Sequence, residues 1–223
     1  MDFRHEIKHE ISPCQIPALR SRLSAVMGLD PHAPDGRYVI SSLYFDTPDN
    51  RALREKLNGV SRREKFRLRY YNGDTSLILL EKKLKVDGLC AKLQTELTHE
   101  EALSLAHGEY RVFDSGGPPL SRELHRKMAL LGLGPRVIVQ YTREPFIYAP
   151  GNVRVTIDYH IRTCAACGEF LEPGCPTIPI PNDAAVLEVK WDSFLPSIIR
   201  DIVQTPGTRT GSFSKYAASR IYG

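Results

Sequence analysis

The chain has 223 residues, of which 42% are hydrophobic and 25% charged, an ordinary composition for one globular domain with a sizeable core. The net charge of only +4 excludes a generic polycation, so an anionic ligand would have to meet basic residues concentrated in one place. The sequence shows no apolar run near the ~18 residues of a membrane span, and its charged start lacks the apolar core of a signal peptide. We therefore expect a cytosolic protein.

Hydrophobic periodicity predicts strands and amphipathic helices along a single domain, residues 1–223. In the first half we predict strands at residues 3–11, 38–46 and 91–97, a hairpin at 64–86, and helices at 13–27, 47–57 and 98–107. In the second half we predict helices at residues 121–131, 197–203 and 212–222, and strands at 136–143, 153–158 and 186–191. Thr47-Pro48 and the capping box that begins at Thr98 mark two of the helix starts.

The hairpin carries the clearest pattern in the chain. The sequence Asn72-Gly73-Asp74 between two β-rich runs predicts a tight turn. Residues two apart share one face of a strand, so each strand of the hairpin has an apolar face and a charged face. The charged faces hold Lys65, Arg67, Arg69 and Tyr71 on the first strand, and Leu77, Leu79, Glu81, Lys83 and Lys85 on the second.

A charged strand face is usually just solvated, but here the pattern recurs on roughly seven strands with Arg, Lys, Glu and Asp in place of Thr and Ser. Amphipathic helices are available to cover the apolar faces, so the charged faces should point at each other. We therefore predict an α+β fold. It would be a closed antiparallel β-barrel of about eight strands that forms a polar tunnel, with amphipathic helices packed outside.

Cations confined in such a tunnel would repel each other strongly unless carboxylates and a bound polyanion offset their charge. The basic residues concerned are Lys8, Arg67, Arg69, Lys83, Lys92, Arg143, Arg154 and Lys190. The interspersed carboxylates, which could also hold a divalent cation, are Glu6, Glu81, Glu96, Asp158 and Glu188. A narrow lumen excludes duplex nucleic acid, so the pattern predicts a linear phosphate chain or a nucleoside triphosphate tail as the ligand.

Three of the five cysteines cluster at Cys164, Cys167 and Cys175, and His160 precedes them. A C-x-x-C pair supplies half of a zinc site, but the spacing of the other two ligands is irregular. Burial of the thiols as small hydrophobic groups is the favoured alternative, and the odd number of cysteines argues against a disulfide framework.

Nine motifs occur in the order in which they occur in the VTC domain. They are FRHEIKHEI, SLYFDT, FRLRYY, LEKK, Ala91-Lys92, VQYTREPF, VRVTID, LEVK and FSKY. The chain thus resembles the VTC domain from Phe3 to Tyr216. That domain is the polyphosphate polymerase branch of the CYTH-like triphosphate tunnel metalloenzymes. The resemblance implies an antiparallel tunnel barrel that binds triphosphate and polyphosphate together with Mn²⁺ or Mg²⁺.

The resemblance also implies roles for individual residues. The residues implied to be catalytic are Arg67, Arg69, Lys83, Arg143, Arg154 and Glu188. Those implied to bind substrate are Lys8, Tyr141, Lys92, Lys190, Ser214 and Lys215. The metal ligand implied first is Glu188, with Glu6, Glu81, Glu96 and Asp158 as further candidates. The chain departs from the pattern of other CYTH-type enzymes at Glu6-Ile7-Lys8, which lacks the full E-x-E-x-K, and at Gln94, where a second basic residue often stands.

The expected activity is metal-dependent transfer of the γ-phosphoryl group of ATP to a growing polyphosphate chain. A triphosphatase or nucleoside triphosphate hydrolase would use the same tunnel with water as acceptor. A non-catalytic polyphosphate-binding module and a barrel with merely solvated strand faces are the remaining alternatives. We expect ATP and inorganic polyphosphate or triphosphate as partners, no nucleic acid, and no membrane insertion. The expected location is the cytoplasm, at the inner face of a membrane if a separate membrane protein receives the product.

Overall fold

Strands dominate the computed structural model, which describes residues 2–33, 35–109, 117–204, 209–211 and 213–221. Within these residues, eleven strands form one sheet in which every pairing is antiparallel. The strands are β1 (His5–Ile11), β2 (Gly28–Leu29), β3 (Tyr38–Asp46), β4 (Arg62–Tyr71), β5 (Asp74–Val86), β6 (Leu89–Leu97), β7 (Gly134–Tyr148), β8 (Val153–Cys164), β9 (Ile178–Pro179), β10 (Ala185–Trp191) and β11 (Arg209–Thr210).

The eight long strands follow one another in the order β1-β10-β8-β7-β3-β4-β5-β6. The two-residue strands β2, β9 and β11 pair with β7, β8 and β1. Next to β1, the outer strand of this series at one end, Arg4 exchanges two backbone hydrogen bonds of 2.9 Å with Cys90 of β6, the outer strand at the other end. The predicted α+β antiparallel architecture is therefore confirmed. Continuous closure into a barrel is not confirmed, because no ladder joins β1 to β6 in the described part of the chain.

Six α-helices accompany the sheet within the described residues. They are α1 (Ile16–Ser24), α2 (Arg51–Leu57), α3 (His99–Ala106), α4 (Pro119–Leu131), α5 (Ser197–Val203) and α6 (Lys215–Ile221). Short 3-10 turns occur at Pro13–Gln15, Pro150–Asn152, Cys167–Leu171 and Pro181–Asp183. Among these helices, none combines the length and the apolar character needed to cross a lipid bilayer.

The helices cover the apolar face of the sheet in two places. α3 and α4 pack over β4 and β5, where Leu105 and Leu124 join Phe66, Leu68 and Leu80 in one buried cluster. α1 and α5 pack over β8 and β10 in a second cluster, which includes Leu19, Leu23, Ile199, Val155, Ile157, Leu187 and Val189. Burial of each such side chain stabilises the fold by about 1.5–3 kcal/mol. Because this face is covered by helices, the charged faces of the strands lie on the opposite side.

The hairpin is confirmed as β4 and β5. Asn72 and Gly73 have φ values of 53° and 73°, the left-handed backbone that a type I′ turn requires at both central positions. The register shifts between Tyr71 and Arg69, and beyond this irregularity Lys65 faces Lys83 and Arg67 faces Glu81.

The start of α2 differs from the prediction. The helix begins after Asn50, whose left-handed φ of 57° interrupts the helical path, instead of directly after Thr47. Two side chains satisfy its first N–H groups. Thr47 Oγ1 accepts a hydrogen bond from Arg51 N at 3.0 Å, and the carboxylate of Asp46 accepts those from Ala52 and Leu53 at 2.8 and 3.1 Å. α2 is therefore anchored to the end of β3.

Two strands of the second half are longer than predicted. β7 and β8 continue to pair with each other on both sides of the register position that joins Arg143 and Asp158, so Cys164 ends a strand and does not lie in a loop. The predicted C-terminal helix is confirmed as α6, although Ser212 and Tyr222, the predicted ends, lie outside the described residues.

Candidate functional site

The charged faces of the eight long strands line a cavity of about 980 Å³. Most of the predicted site residues form its wall: Glu6, Lys8, Arg67, Arg69, Lys83, Lys92, Tyr141, Arg143, Arg154, Glu188, Lys190, Ser214 and Lys215. The structure does not place every predicted residue there. Glu81 and Asp158 lie behind the wall, which means that they are fully buried beneath the basic side chains with which they pair. Glu96 is exposed on β6.

Glu81 on β5 holds three basic residues of the wall. Its carboxylate accepts hydrogen bonds from Arg67 Nε at 2.6 Å and Lys92 Nζ at 3.0 Å, and Arg69 Nη1 lies 3.6 Å away. Burial alone would raise the pKa of this carboxyl, but the three cations outweigh burial and hold the pKa well below its usual range. The burial of this carboxylate is thus compensated only while the cations remain beside it.

Two tyrosine hydroxyls orient the arginines further. Arg67 Nη1 donates a hydrogen bond to Tyr44 Oη at 3.1 Å, and Arg69 Nη2 donates one to Tyr141 Oη at 3.3 Å. Burial acts to raise the pKa of the Tyr44 hydroxyl, but Arg67 and Arg69 outweigh it and the pKa is lowered. Both guanidinium groups are therefore held in place before any ligand arrives, with N–H donors left over for it.

On the other side of the cavity, Asp158 on β8 holds basic residues in place as Glu81 does. It accepts two hydrogen bonds from Arg143, at 2.6 and 2.7 Å, and one from Lys215 Nζ at 2.6 Å. Burial acts to raise the pKa of this carboxyl, but Arg143 and Lys215 lower it to about 2. The two cations also lie over the ring of Tyr141, with Lys215 Nζ 4.6 Å and Arg143 Cζ 5.5 Å from its centroid.

A third cluster joins β1, β10 and β5. In the β1–β10 register Lys8 is opposite Glu188 and Lys190 is opposite Glu6. Lys8 Nζ and Lys190 Nζ lie 3.0 and 2.6 Å from the Glu188 carboxylate, and Lys83 Nζ lies 2.7 Å from that of Glu6. Burial and Glu188 act to raise the pKa of Glu6, but the three lysines lower it to about 2. Both glutamates are therefore ionised at neutral pH.

The five carboxylates predicted as metal ligands are not brought together. Glu6 and Glu188 are neighbours that share Lys8 and Lys190, whereas Glu81 and Asp158 form ion pairs with other cations and Glu96 is exposed on β6. Among the described residues no group of three or more His, Cys, Asp or Glu side chains is arranged to hold a metal ion. One or two carboxylates do fit Mg²⁺ or Mn²⁺ that takes its remaining ligands from phosphate oxygens, and they do not fit an all-protein cage.

Four residues of the site were missed by the sequence prediction. Tyr38 and Tyr44 follow a period of two along β3, and Lys65 shares a face of β4 with the predicted Arg67 and Arg69, so the alternation could have identified them. Asp30 lies in an irregular segment with no strand pattern, and only the fold shows that it pairs with Arg154, at 2.6 Å.

The cysteine group lies away from the cavity, against the cluster that α3 and α4 cover. Cys164 is buried at the end of β8, and Cys167 and Cys175 pack against the same cluster. Burial, reinforced by the neighbouring Cys164, raises the pKa of Cys167 to about 11 and that of Cys175 to about 12. These two thiols are protonated at neutral pH.

Comparison with known proteins addresses the fold and the family. A search of curated proteins finds no match. A Bacillus halodurans protein named as an adenylate cyclase candidate superposes with a TM-score of 0.55 at 14% identity, over 86% of this chain and 82% of that one. An adenylyl cyclase candidate from Hippeastrum, described as having a dominant triphosphatase activity, superposes with a TM-score of 0.52 at 15% identity, over 99% and 96%. At these identities the two likenesses show the fold alone.

The family follows from a different comparison. The family model described as the VTC domain matches residues 3–221, nearly the whole chain. This span includes every wall residue named above, from Glu6 on β1 to Lys215 on α6. The chain therefore belongs to the VTC domain family.

Proposed function

We propose that this VTC domain is a polyphosphate polymerase, which transfers the γ-phosphoryl group of ATP to the end of a polyphosphate chain inside the cavity. The observation that carries the proposal is the layered arrangement of charge. Arg67, Arg69 and Arg143 face the cavity, while the carboxylates that hold them, Glu81 and Asp158, are buried behind the wall. A phosphate chain therefore meets these three arginines as oriented donors without first displacing the carboxylates that hold them.

Phosphoryl transfer requires the protein to position the phosphates and to neutralise their charge more than it requires a covalent intermediate with the protein. The arginines can hold non-bridging phosphate oxygens by bidentate contacts, and Lys8, Lys83 and Lys190 add point charges around the same space. The acceptor is a terminal phosphate that is already ionised near neutral pH, because its second pKa is about 6. Transfer between phosphates therefore requires no general base from the chain.

Glu188 and Glu6 would hold the divalent ion, Mn²⁺ or Mg²⁺, together with phosphate oxygens. When bound, such an ion neutralises charge on the phosphates and polarises the bond that breaks. The pKa of both carboxyls is lowered, so both groups are available as ligands throughout the physiological pH range.

Closure of the sheet into a tunnel is part of the proposal. It is supported by the Arg4–Cys90 bridge between the two outer strands and by the Lys83–Glu6 ion pair, which ties β5 to β1. A tunnel would keep a linear chain aligned with the transferred group and would admit no duplex nucleic acid. We further propose that the domain works in the cytoplasm and that a separate membrane protein receives the product.

A triphosphatase is the second candidate, because the fold resembles that of the Hippeastrum protein with a dominant triphosphatase activity. Hydrolysis would use the same cations with water as the acceptor. A binding module without turnover is the third candidate, and it predicts tight, salt-dependent binding of polyphosphate alone.

One assay separates the three candidates. The protein is incubated with ATP, Mn²⁺ and a short polyphosphate primer, and chain length is followed on gels beside release of free phosphate. Lengthening of the primer supports the polymerase. Phosphate release without lengthening supports the hydrolase, and binding without either supports the module.

Two cavity variants and one control make the assay specific. Arg67→Ala and Glu188→Ala should abolish chain growth while the far-UV spectrum stays native. Glu96→Gln, on an exposed position outside the cavity wall, should retain chain growth. Full turnover in either cavity variant would contradict the assignment.

A further inference from the structure

Among the described residues, Lys65 of the wall lacks the carboxylate partner that the predicted cations have. Lys65 on β4 faces the cavity and stands opposite Lys83 on β5. In the described part of the chain it makes no ion pair. Its contacts are the Ser214 hydroxyl, 3.4 Å from Nζ, and the ring of Tyr216, whose centroid is 4.9 Å from Nζ.

The groups around Lys65 are mostly cationic. They are Lys8 from β1, Lys83 from β5, Arg63 from its own strand and Lys56 from α2, with the uncharged side chains of Ser214 and Tyr216 on the C-terminal side. Burial, followed by repulsion from these cations, lowers the pKa of Lys65 to about 7. The side chain retains some exposed surface, and this surface faces the cavity.

We propose that Lys65 and Ser214 form a phosphate subsite of the cavity, in which Lys65 takes up a proton as it captures a phosphate group of a polyphosphate chain. This inference rests on the proposed function. A polyanion is the ligand that fits, because its negative charge offsets the repulsion between the protonated Lys65 and the neighbouring Lys83 and Lys8. Phosphate oxygens accept hydrogen bonds from both an ammonium and a hydroxyl group.

The proton balance of the step is simple. The conjugate acid of the buffer, or water, gives one proton to the Lys65 amine, and the resulting ammonium pairs with a phosphate oxygen. No bond to phosphorus forms or breaks. Ligand binding therefore favours the charged form of Lys65, which the ligand-free cavity disfavours.

Calorimetric titration in two buffers of different ionisation enthalpy measures this proton uptake directly. Inorganic polyphosphate of defined length is titrated at pH 8 into the wild-type protein and into Lys65→Arg and Lys65→Met. Because arginine stays charged at this pH, Lys65→Arg should bind within about threefold of wild type but take up about one proton fewer. The ligand's own titration is common to both proteins and cancels in this difference.

Lys65→Met should weaken binding about tenfold to a hundredfold, because it removes one charge-assisted contact. Lys127→Met is the matched control. It removes the same charge from α4, where Lys127 pairs with Glu64 and Glu123 and does not itself line the cavity. Glu64 does line the cavity but keeps Lys82 as a partner, so the affinity should stay unchanged.

Every result of these titrations either supports or refutes the proposed subsite. If Lys65→Met binds as tightly as wild type, or if Lys65→Arg takes up as many protons, the subsite is refuted while the proposed function stands. If the wild-type protein binds no polyphosphate, both proposals fail together. Circular dichroism checks that each variant is folded, and the Lys65→Arg result decides alone if Lys65→Met does not fold.

Discussion

Arg67 on β4 and Glu81 on β5 stand opposite each other in the sheet register, with 2.6 Å between the guanidinium Nε and the fully buried carboxylate. The two side chains lie at different depths and have different roles. The carboxylate behind the wall fixes the cation, and the cation presents its remaining donors to the cavity. Arg143 and Asp158 repeat this arrangement on β7 and β8. A strongly basic cavity can thus exist within a fold whose net charge is small.

Removing the buried carboxylate should destabilise the fold strongly. Glu81→Gln leaves Arg67, Arg69 and Lys92 without their shared counter-charge, and breaking a buried ion pair on one side costs about 3–5 kcal/mol. Denaturant unfolding should show this loss. The exposed Glu96→Gln should change the free energy of unfolding by less than about 0.5 kcal/mol. Equal stability of the two variants would show that Glu81 does not compensate the arginines.

Acid should destabilise the protein through Asp158. Its pKa is about 2 in the folded state and 3.8 ordinarily, so the unfolded chain binds more protons between these values. The stabilisation is complete above pH 3.8 and is lost as the pH falls through 2. The shift is equivalent to about 2 kcal/mol. Unfolding measured from pH 5 to pH 2 should show a steeper slope for wild type than for Asp158→Asn. Parallel slopes would exclude this residue as a source of acid sensitivity.

The strands of the wall were predictable because their signal is local. Alternation placed Arg67 and Arg69 on one face, and Asn72-Gly73 fixed the turn, without any knowledge of distant partners. The charged faces could be assigned to an interior because the opposite faces are apolar and have helices to cover them. This logic also applies to Lys65, whose position in the alternation was seen but not given a role.

Features that depend on distant contacts were not predictable. Asp30 reaches Arg154 on β8 only because β2, which directly precedes it, pairs with the neighbouring strand β7, and nothing in its local sequence marks it. The start of α2 depends on the carboxylate of Asp46 in addition to the hydroxyl of Thr47, and the local sequence indicated only Thr47. The depth of Glu81 and Asp158 behind the wall likewise follows from pairing across strands, so the sequence could not distinguish a metal ligand from a buried counter-ion.

Glu188 should be needed for metal-dependent activity more than for stability. Glu188→Gln should lower turnover about 10²–10³-fold, the usual effect of losing one group that stabilises developing charge. It should destabilise the fold less than Glu81→Gln does, because Lys8 and Lys190 keep Glu6 as a second carboxylate, at 3.5 and 3.7 Å. Turnover as a function of Mn²⁺ concentration, beside thermal unfolding, tests both statements. Unchanged Mn²⁺ dependence in the variant would remove Glu188 from the metal site.

Lys65 should destabilise the ligand-free protein below neutral pH. Its pKa is about 7 when folded and 10.5 ordinarily, so between these values the unfolded chain binds more protons and wild-type stability rises with pH. The destabilisation is present in full below pH 7, and with allowance for partial solvent screening it amounts to about 2 kcal/mol. Lys65→Met should therefore be more stable than wild type at pH 6, and the gap should close towards pH 10. Denaturant unfolding across this range, with polyphosphate absent, measures the gap. A variant less stable than wild type at pH 6 would show that Lys65 is not under repulsion from Lys8, Lys83 and their neighbours.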